Sequence, residues 1–499
     1  MKEGCTMLPG PARLFRPARY SVILLLSLAA LISAQEADEP APKTGTAEAR
    51  FGLTFEPVQF MPPPVHHLTF ENGIMFYHRP ERTIPLVTVL VGIRAGSVND
   101  PPGKVGLASL TAEVLRTGGS AALDGDALDV ALESRGAQLS AESDEEMTWI
   151  RLSVLPEDAE WGLGVLRDLL TAPAFPQPRL EEAASRFAVA LRQRLDVPMN
   201  VAQALFPQLV YGKGNPWGWT ATEATLAAIT PADLHAFHER FYTAGNLRAA
   251  VIGDLDREEA ERLMRSTLGQ LPAEPAPEID LPAVEPVQSS RVYIVPRDVT
   301  QNVIYFGHEG IGRFDERKFA AKVLNSVLAG GFTSRLFKEV RSNRGLAYSV
   351  FGRLGEGTVA GLYFNVAMTR VEATSETLGL MLDINEALTQ APPSAEETQL
   401  AIQSDVNAFV FFFDTSEQIV RQAMILDEFG YPEDYLETYV DRLKGVESEQ
   451  VRQAAAANLH LDRLVVLIVG KVDEDFRREL ERIGPITEIS DEELRAEWL

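Results

Sequence analysis

Apolar and polar positions recur along this chain with two different periods, and the change of period marks its elements. In GLASLTAEVLRTGG, residues 106–119, Leu107, Leu110, Val114 and Leu115 recur at three- and four-residue steps. That spacing predicts an amphipathic helix, entered through a turn glycine and stopped by Gly118-Gly119. The opposite face carries Ser109, Ala112 and Glu113. Two short unbroken apolar runs, in NLRAAVIGDLDREE and RLVVLIVGKVDEDF, end at Gly253 and Gly470. Each predicts a buried strand, a glycine turn and an acidic helix start.

These patterns occur twice in the same order. ITPADLHAFHERFY and VESEQVRQAAAANL both read as a helix before the glycine-ended strand. Upstream, LRDLLTAPAFPQPRLEEA and MLDINEALTQAPPSAEET both read as helix, proline turn, helix. The openings LVTVLVGIRAGSV and QNVIYFGHEGIG read as strands, each followed by a long helix. Strands at both ends of a half with helices between them predict an α+β fold. The expected fold is two similar domains, each a mainly antiparallel sheet covered by helices. Between them LPAEPAPEIDLPAVEP, residues 271–286, is proline-rich and acidic. Proline fixes φ and donates no ladder hydrogen bond, so this stretch reads as a stiff linker. It divides the chain into domains 51–270 and 287–499.

The N-terminus adds a compartment. Arg13, Arg16 and Arg19 precede an uncharged apolar run from Val22 to Ile32, too short to span a bilayer. Residues 1–34 read as a secretory signal cleaved after Ala34, and 35–50 as a flexible lead-in. An uncleaved anchor is the alternative. Cys5 is the only cysteine and would leave with the signal, so disulfides and cysteine catalysis are excluded from the mature chain. No later stretch reads as a membrane span, and a bacterial periplasm is the expected location. The net charge of −25 comes without a basic stripe, which excludes a nucleic-acid partner.

Candidate chemistry is sparse. Of the seven histidines, only His235 and His238 share a helical face, and nothing near them completes a three-ligand zinc cluster. They read as surface or packing residues, and His66 and His67 as structural. The stretch LAGGFTSRLFKEVRSNRGLAYSVFG, residues 328–352, is denser. Gly330 and Gly331 interrupt a helix that resumes over Phe332–Val340. Arg341 closes it, and Tyr348 enters a strand. A guanidinium can hold a carbonyl or carboxylate, and a phenol can donate to an oxyanion.

From about residue 50 to 485 the sequence resembles the pitrilysin/insulinase family of zinc peptidases. The resemblance rests on the duplication, NGIMFYH, AGSVNDPPGKVGLASL, AGGFTSRLFKEVRSNRGLAYSV and the two glycine-ended strands. It is closest to half-size bacterial members and to subunits of mitochondrial processing peptidase. Active members carry H-x-x-E-H on the helix after the G-L-A turn, two histidines as zinc ligands and the glutamate as base. Laid on this chain, the ligand positions are Ser109 and Glu113, and the base position is Ala112. The family's third ligand, a later glutamate, falls at Ala190. The resemblance therefore implies a degenerate motif, no metal in this chain and no catalytic residue intact. It also implies one half of a two-part, clam-like chamber. There the facing part offers an Arg and a Tyr in an R-x6-Y pattern, which Arg341 and Tyr348 match.

Three readings follow. In the first, the chain is the non-catalytic, substrate-binding subunit of a heterodimer whose homologous partner carries zinc and which cleaves extended peptides. In the second, it is a catalytically dead binding or scaffold protein. In the third, Glu113 with Glu181 or Glu182 forms an unorthodox active site.

Overall fold

A computed structural model describes residues 61–498. The signal peptide and lead-in expected over 1–50 lie outside the described residues. The first half builds a six-stranded sheet in the order β1-β2-β6-β3-β5-β4. Its strands are β1 His66–Thr69, β2 Met75–Pro80, β3 Val87–Ile93, β4 Gln138–Ser143, β5 Thr148–Val154 and β6 Leu247–Gly253. The second half builds another in the order β10-β12-β8-β13-β7-β14. Those strands are β7 Arg291–Pro296, β8 Gln301–Glu309, β10 Ala347–Leu354, β12 Leu362–Arg370, β13 Val465–Gly470 and β14 Ile486–Glu488. Two-residue strands β9 (Ile311–Gly312) and β11 (Glu356–Gly357) form a separate parallel pair.

The duplication read from the sequence is visible strand by strand. In each sheet the glycine-ended strand, β6 or β13, pairs parallel with a strand near the start of its half, β2 or β7. It pairs antiparallel with β3 or β8 on its other side. Gly253 and Gly470 have φ of 123° and 150°, and a Cβ there would lie 2.0 Å from Leu86 O and Asn302 Oδ1 respectively. Only glycine fits such a turn. The fold is α+β with two mainly antiparallel sheets, each covered on one face by helices of its own half.

Among the helices of the described residues, those that bear on the site are α1 Leu107–Gly118, α2 Gln177–Arg194, α3 Pro198–Tyr211, α4 Pro231–Phe241, α5 Lys318–Leu328 and α6 Ser416–Glu428. α3 and α6 are exchanged between the halves. α3 belongs to the first half, yet Val201, Leu205 and Phe206 pack on Val303, Tyr305, Val366 and Leu467 of the second sheet. α6 belongs to the second half, yet Val420 and Met424 pack on Tyr77, Leu90, Trp149 and Ile252 of the first. α6 is held there by polar contacts as well. The Tyr77 hydroxyl donates to Asp427 at 2.7 Å, and Arg151 Nε donates to Glu417 at 2.9 Å. Glu428 is buried between Arg94 and Arg248.

Residues 272–289 form no helix or strand. They are fastened to the first half, not free: Gly245 N–H donates to Glu274 O at 2.8 Å, and the Asn215 amide to Ala283 O at 3.1 Å. Among the described residues no helix is long and apolar enough to cross a membrane.

Candidate functional site

α1 follows directly from its entry turn. Gly106 adopts φ of 104°, and Asp100 caps the helix from six residues upstream. The two carboxylate oxygens of Asp100 accept from Gly106 N–H at 2.7 Å and Ala108 N–H at 2.8 Å. This satisfies donors that a helix N-terminus otherwise leaves unpaired. Burial pushes the Asp100 carboxyl up to about 7, against the pull of those hydrogen bonds. α1 is buried nearly all round, which differs from the two-faced helix expected. Leu107, Leu110, Val114 and Leu115 are buried, but so are Ala108, Thr111 and Ala112. The helix lies between its own sheet edge and neighbouring helices, and only Ser109, Glu113, Arg116 and Thr117 reach partly into solvent.

The four positions to which the resemblance assigns the metal and its base form no metal site here. Ala112 and Ala190 have no donor atoms, and a lone serine hydroxyl is a poor zinc ligand. Glu113 is already engaged. Its carboxylate accepts from the guanidinium of Arg186 on α2, one turn before Ala190. A fixed cation thus stands on the helix from which the third ligand would come. Glu181 accepts from Gln177 at 2.8 Å and Glu182 from Arg179 at 3.0 Å, so neither joins Glu113 in an alternative site. Among the described residues no three His, Cys, Asp or Glu side chains converge to hold a metal. Zinc does not fit this helix.

The histidines serve packing. His238 on α4 is buried against Phe175 and Tyr242, with ring centres 5.9 and 4.6 Å away. Burial pushes its imidazole down to about 4. His235 meets the edge of Phe175 at 5.0 Å. His308 accepts from the backbone N–H of His460 at 3.0 Å.

Arg341 and Tyr348 come together on the surface of the second half. After α5 the chain turns through Gly330 and Gly331, and Phe332 lies in that turn, outside the helix expected to begin with it. The helix resumes at Arg335 and widens into a π-helix over Phe337–Asn343, a form that recurs at functional sites. Arg341 lies in its last turn. β10 follows as an edge strand, and its pairing with β12 slips at one point. Ala347 faces Thr369 and Ser349 faces Met368, leaving Tyr348 as the extra, bulged residue. A bulge re-aims a side chain. Tyr348 is 72 % exposed, and among the described residues nothing bonds its hydroxyl. The Arg341 guanidinium lies 5.6 Å from the Tyr348 ring centre and 4.9 Å from that of Phe337. The two rings flank the cation, and among the described residues nothing accepts a hydrogen bond from it.

Sequence reasoning singled out Arg341 and Tyr348, whose side chains lie together in the structure, and gave no account of Arg186 and Asp100. Arg186 stands one helical turn from Ala190, so a charge check across that register would have found a partner for Glu113. Asp100, just before a proline pair and a glycine turn, is a helix-capping residue by type.

Comparison with known proteins fixes the class of molecule. The profile described as insulinase, peptidase family M16, matches residues 79–211, and the one described as peptidase M16 inactive domain matches 228–404. The chain belongs to this family. It is 23% identical to a protein named non-peptidase homolog YmxG of Helicobacter pylori, over 79% of this chain and 90% of that one. It is 25% identical to an uncharacterized zinc protease of Streptomyces coelicolor, over 64% of this chain and 71% of the relative. A solved peptidase M16 inactive domain from Pseudomonas fluorescens superposes with a TM-score of 0.74 at 25% identity, covering 82% of this chain and 98% of that one. The periplasmic protease PqqL of Escherichia coli shares the fold, with a TM-score of 0.69 at 18% identity. This chain spans 50% of PqqL's length.

Proposed function

We propose that this chain is the non-catalytic, substrate-binding subunit of a heterodimeric zinc metallopeptidase that cleaves peptides or unfolded proteins in the periplasm. The observation that carries the reading is a contrast between two sites. The helix that would bind zinc holds no ligand set, while Arg341 and Tyr348 stand exposed and unspent on a π-helix and a bulged edge strand. In this reading domains 51–270 and 287–499, joined by 271–286 after loss of signal 1–34, form one half of a chamber. A homologous partner forms the other half and brings the metal. PqqL, twice the length of the matched region, is a parallel for two such halves meeting. Tyr348 donates to the oxyanion that develops on the scissile carbonyl, and Arg341 fixes the peptide backbone beside it.

The test is Tyr348→Phe and Arg341→Ala in the chain mixed with a zinc-motif homologue. Neither exposed side chain supports the core, so assembly should persist. Loss of one oxyanion donor should lower turnover on the order of 100–1,000-fold. Unchanged turnover would remove both residues from the mechanism. A second reading, a scaffold that has left peptidase work altogether, draws on the non-peptidase and inactive-domain descriptions of its relatives. It predicts that both substitutions are silent.

A further inference from the structure

The surface around Arg341 holds more than the two residues assigned to it. Phe332, in the turn after Gly330-Gly331, is 75 % exposed. It meets Phe337 edge-on with ring centres 4.9 Å apart. Phe337 in turn lies under the Arg341 guanidinium, and Arg341 reaches Tyr348. Phe332, Phe337, Arg341 and Tyr348 therefore form one continuous row of contacts, in which Phe332, Arg341 and Tyr348 are exposed and Phe337 is half-buried against the core. Gly331 has φ of 143° and open space where a Cβ would stand, so the turn that presents Phe332 needs its glycine for conformation and not for packing.

The charge here is opposite to that of the rest of the chain. The formal net charge is −25, yet residues 335–344 carry Arg335, Lys338, Arg341 and Arg344 against Glu339 alone. Arg335 is paired with Glu397 at 2.8 Å, and Arg344 lies 3.6 Å from Glu376. Among the described residues Lys338 and Arg341 have no acidic partner. With Arg341 assigned to the peptide backbone, an exposed aromatic and, on the adjoining π-helix, the exposed and unpaired Lys338 fit one kind of occupant.

We infer that this row is a specificity subsite for an extended peptide carrying a bulky apolar side chain next to an acidic one. The apolar side chain packs on Phe332, and the acidic one lies toward Lys338. This rests on the reading of Arg341 and Tyr348 as substrate-holding residues and adds which peptides they hold.

Three short fluorescein-labelled peptides that differ only at two central residues, Phe-Glu, Ser-Glu and Phe-Lys, test it by anisotropy with the purified chain. Phe-Glu should bind about 10-fold more tightly than Ser-Glu, the worth of partly burying one aromatic ring, and about 3-fold more tightly than Phe-Lys, the worth of one exposed ion pair. Phe332→Ser should erase the preference for Phe over Ser, and Lys338→Gln the preference for Glu over Lys. Both side chains are on the surface, so the fold survives either change. Arg341→Ala should weaken all three peptides alike. Equal binding of Phe-Glu and Ser-Glu, or a preference that survives Phe332→Ser, overturns the subsite while leaving Arg341-dependent binding intact. Binding that ignores Arg341→Ala, or no binding of any peptide, overturns the substrate-holding reading with it.

Discussion

Replacing Met424 by alanine tests whether the two halves act as one body. Met424 lies on α6 in the second half but is fully buried against the first sheet, among Tyr77, Leu90, Trp149 and Ile252. Truncating a buried methionine costs roughly 2–5 kcal/mol, and the figure depends on how well the site collapses. Collapse is hindered here on both sides. The floor is a sheet whose strands β6, β3 and β5 are paired along their lengths. The roof is a helix anchored by the Tyr77–Asp427 and Arg151–Glu417 bonds and by Glu428 between two arginines. The cost should therefore lie above the low end of that range, at about 3–4 kcal/mol. Urea unfolding followed by circular dichroism gives the magnitude. Native-state hydrogen exchange of the β3 amides, Val87–Ile93, shows where it is felt. The exchanged-helix account predicts that a substitution in the second half speeds exchange in β3 of the first. A loss below about 1 kcal/mol, or a full loss with β3 exchange unchanged, would refute the coupling.

Two other substitutions weigh the remaining features. Glu113→Gln should cost no more than about 1 kcal/mol in thermal unfolding, because both it and Arg186 are substantially exposed and surface ion pairs contribute little. It should also leave the chain without bound zinc. His238 charges in the unfolded chain near 6.5 but in the folded chain only near 4, so the unfolded state binds more protons between those values and stability falls as pH drops through them. At about 1.4 kcal/mol per pH unit, His238→Gln should flatten the pH dependence of the urea midpoint between pH 6.5 and 4, and an unchanged slope would contradict the burial argument.

Much of the fold was legible because the duplication repeats whole elements. Glycine-ended apolar runs and helix–proline–helix stretches each specify a local structure by composition alone, and finding them twice in order gives the fold. The exchange of α3 and α6 was not legible. Amphipathic spacing shows that Val201, Leu205 and Phe206, or Val420 and Met424, are buried, but not against which sheet. The degenerate motif was readable because missing donors are visible in letters. The Glu113–Arg186 pair was not, because it depends on the rotation of α2 against α1. Arg341 and Tyr348 stood out only through the resemblance, whose R-x6-Y pattern they match. What presents them, a π-helix and a one-residue bulge, breaks the regular periods on which sequence reading relies, and for that reason left no periodic trace.

The central claim is that this chain contributes peptide binding and not a metal. The direct measurement is a peptidase assay on an unstructured peptide with this chain alone, its zinc-motif homologue alone and the mixture, with zinc content determined for each. The account predicts turnover that is far higher in the mixture than in either component, with zinc only on the homologue. Stoichiometric zinc and turnover in this chain alone would contradict it at α1. A mixture no more active than the homologue by itself would contradict it at Arg341 and Tyr348.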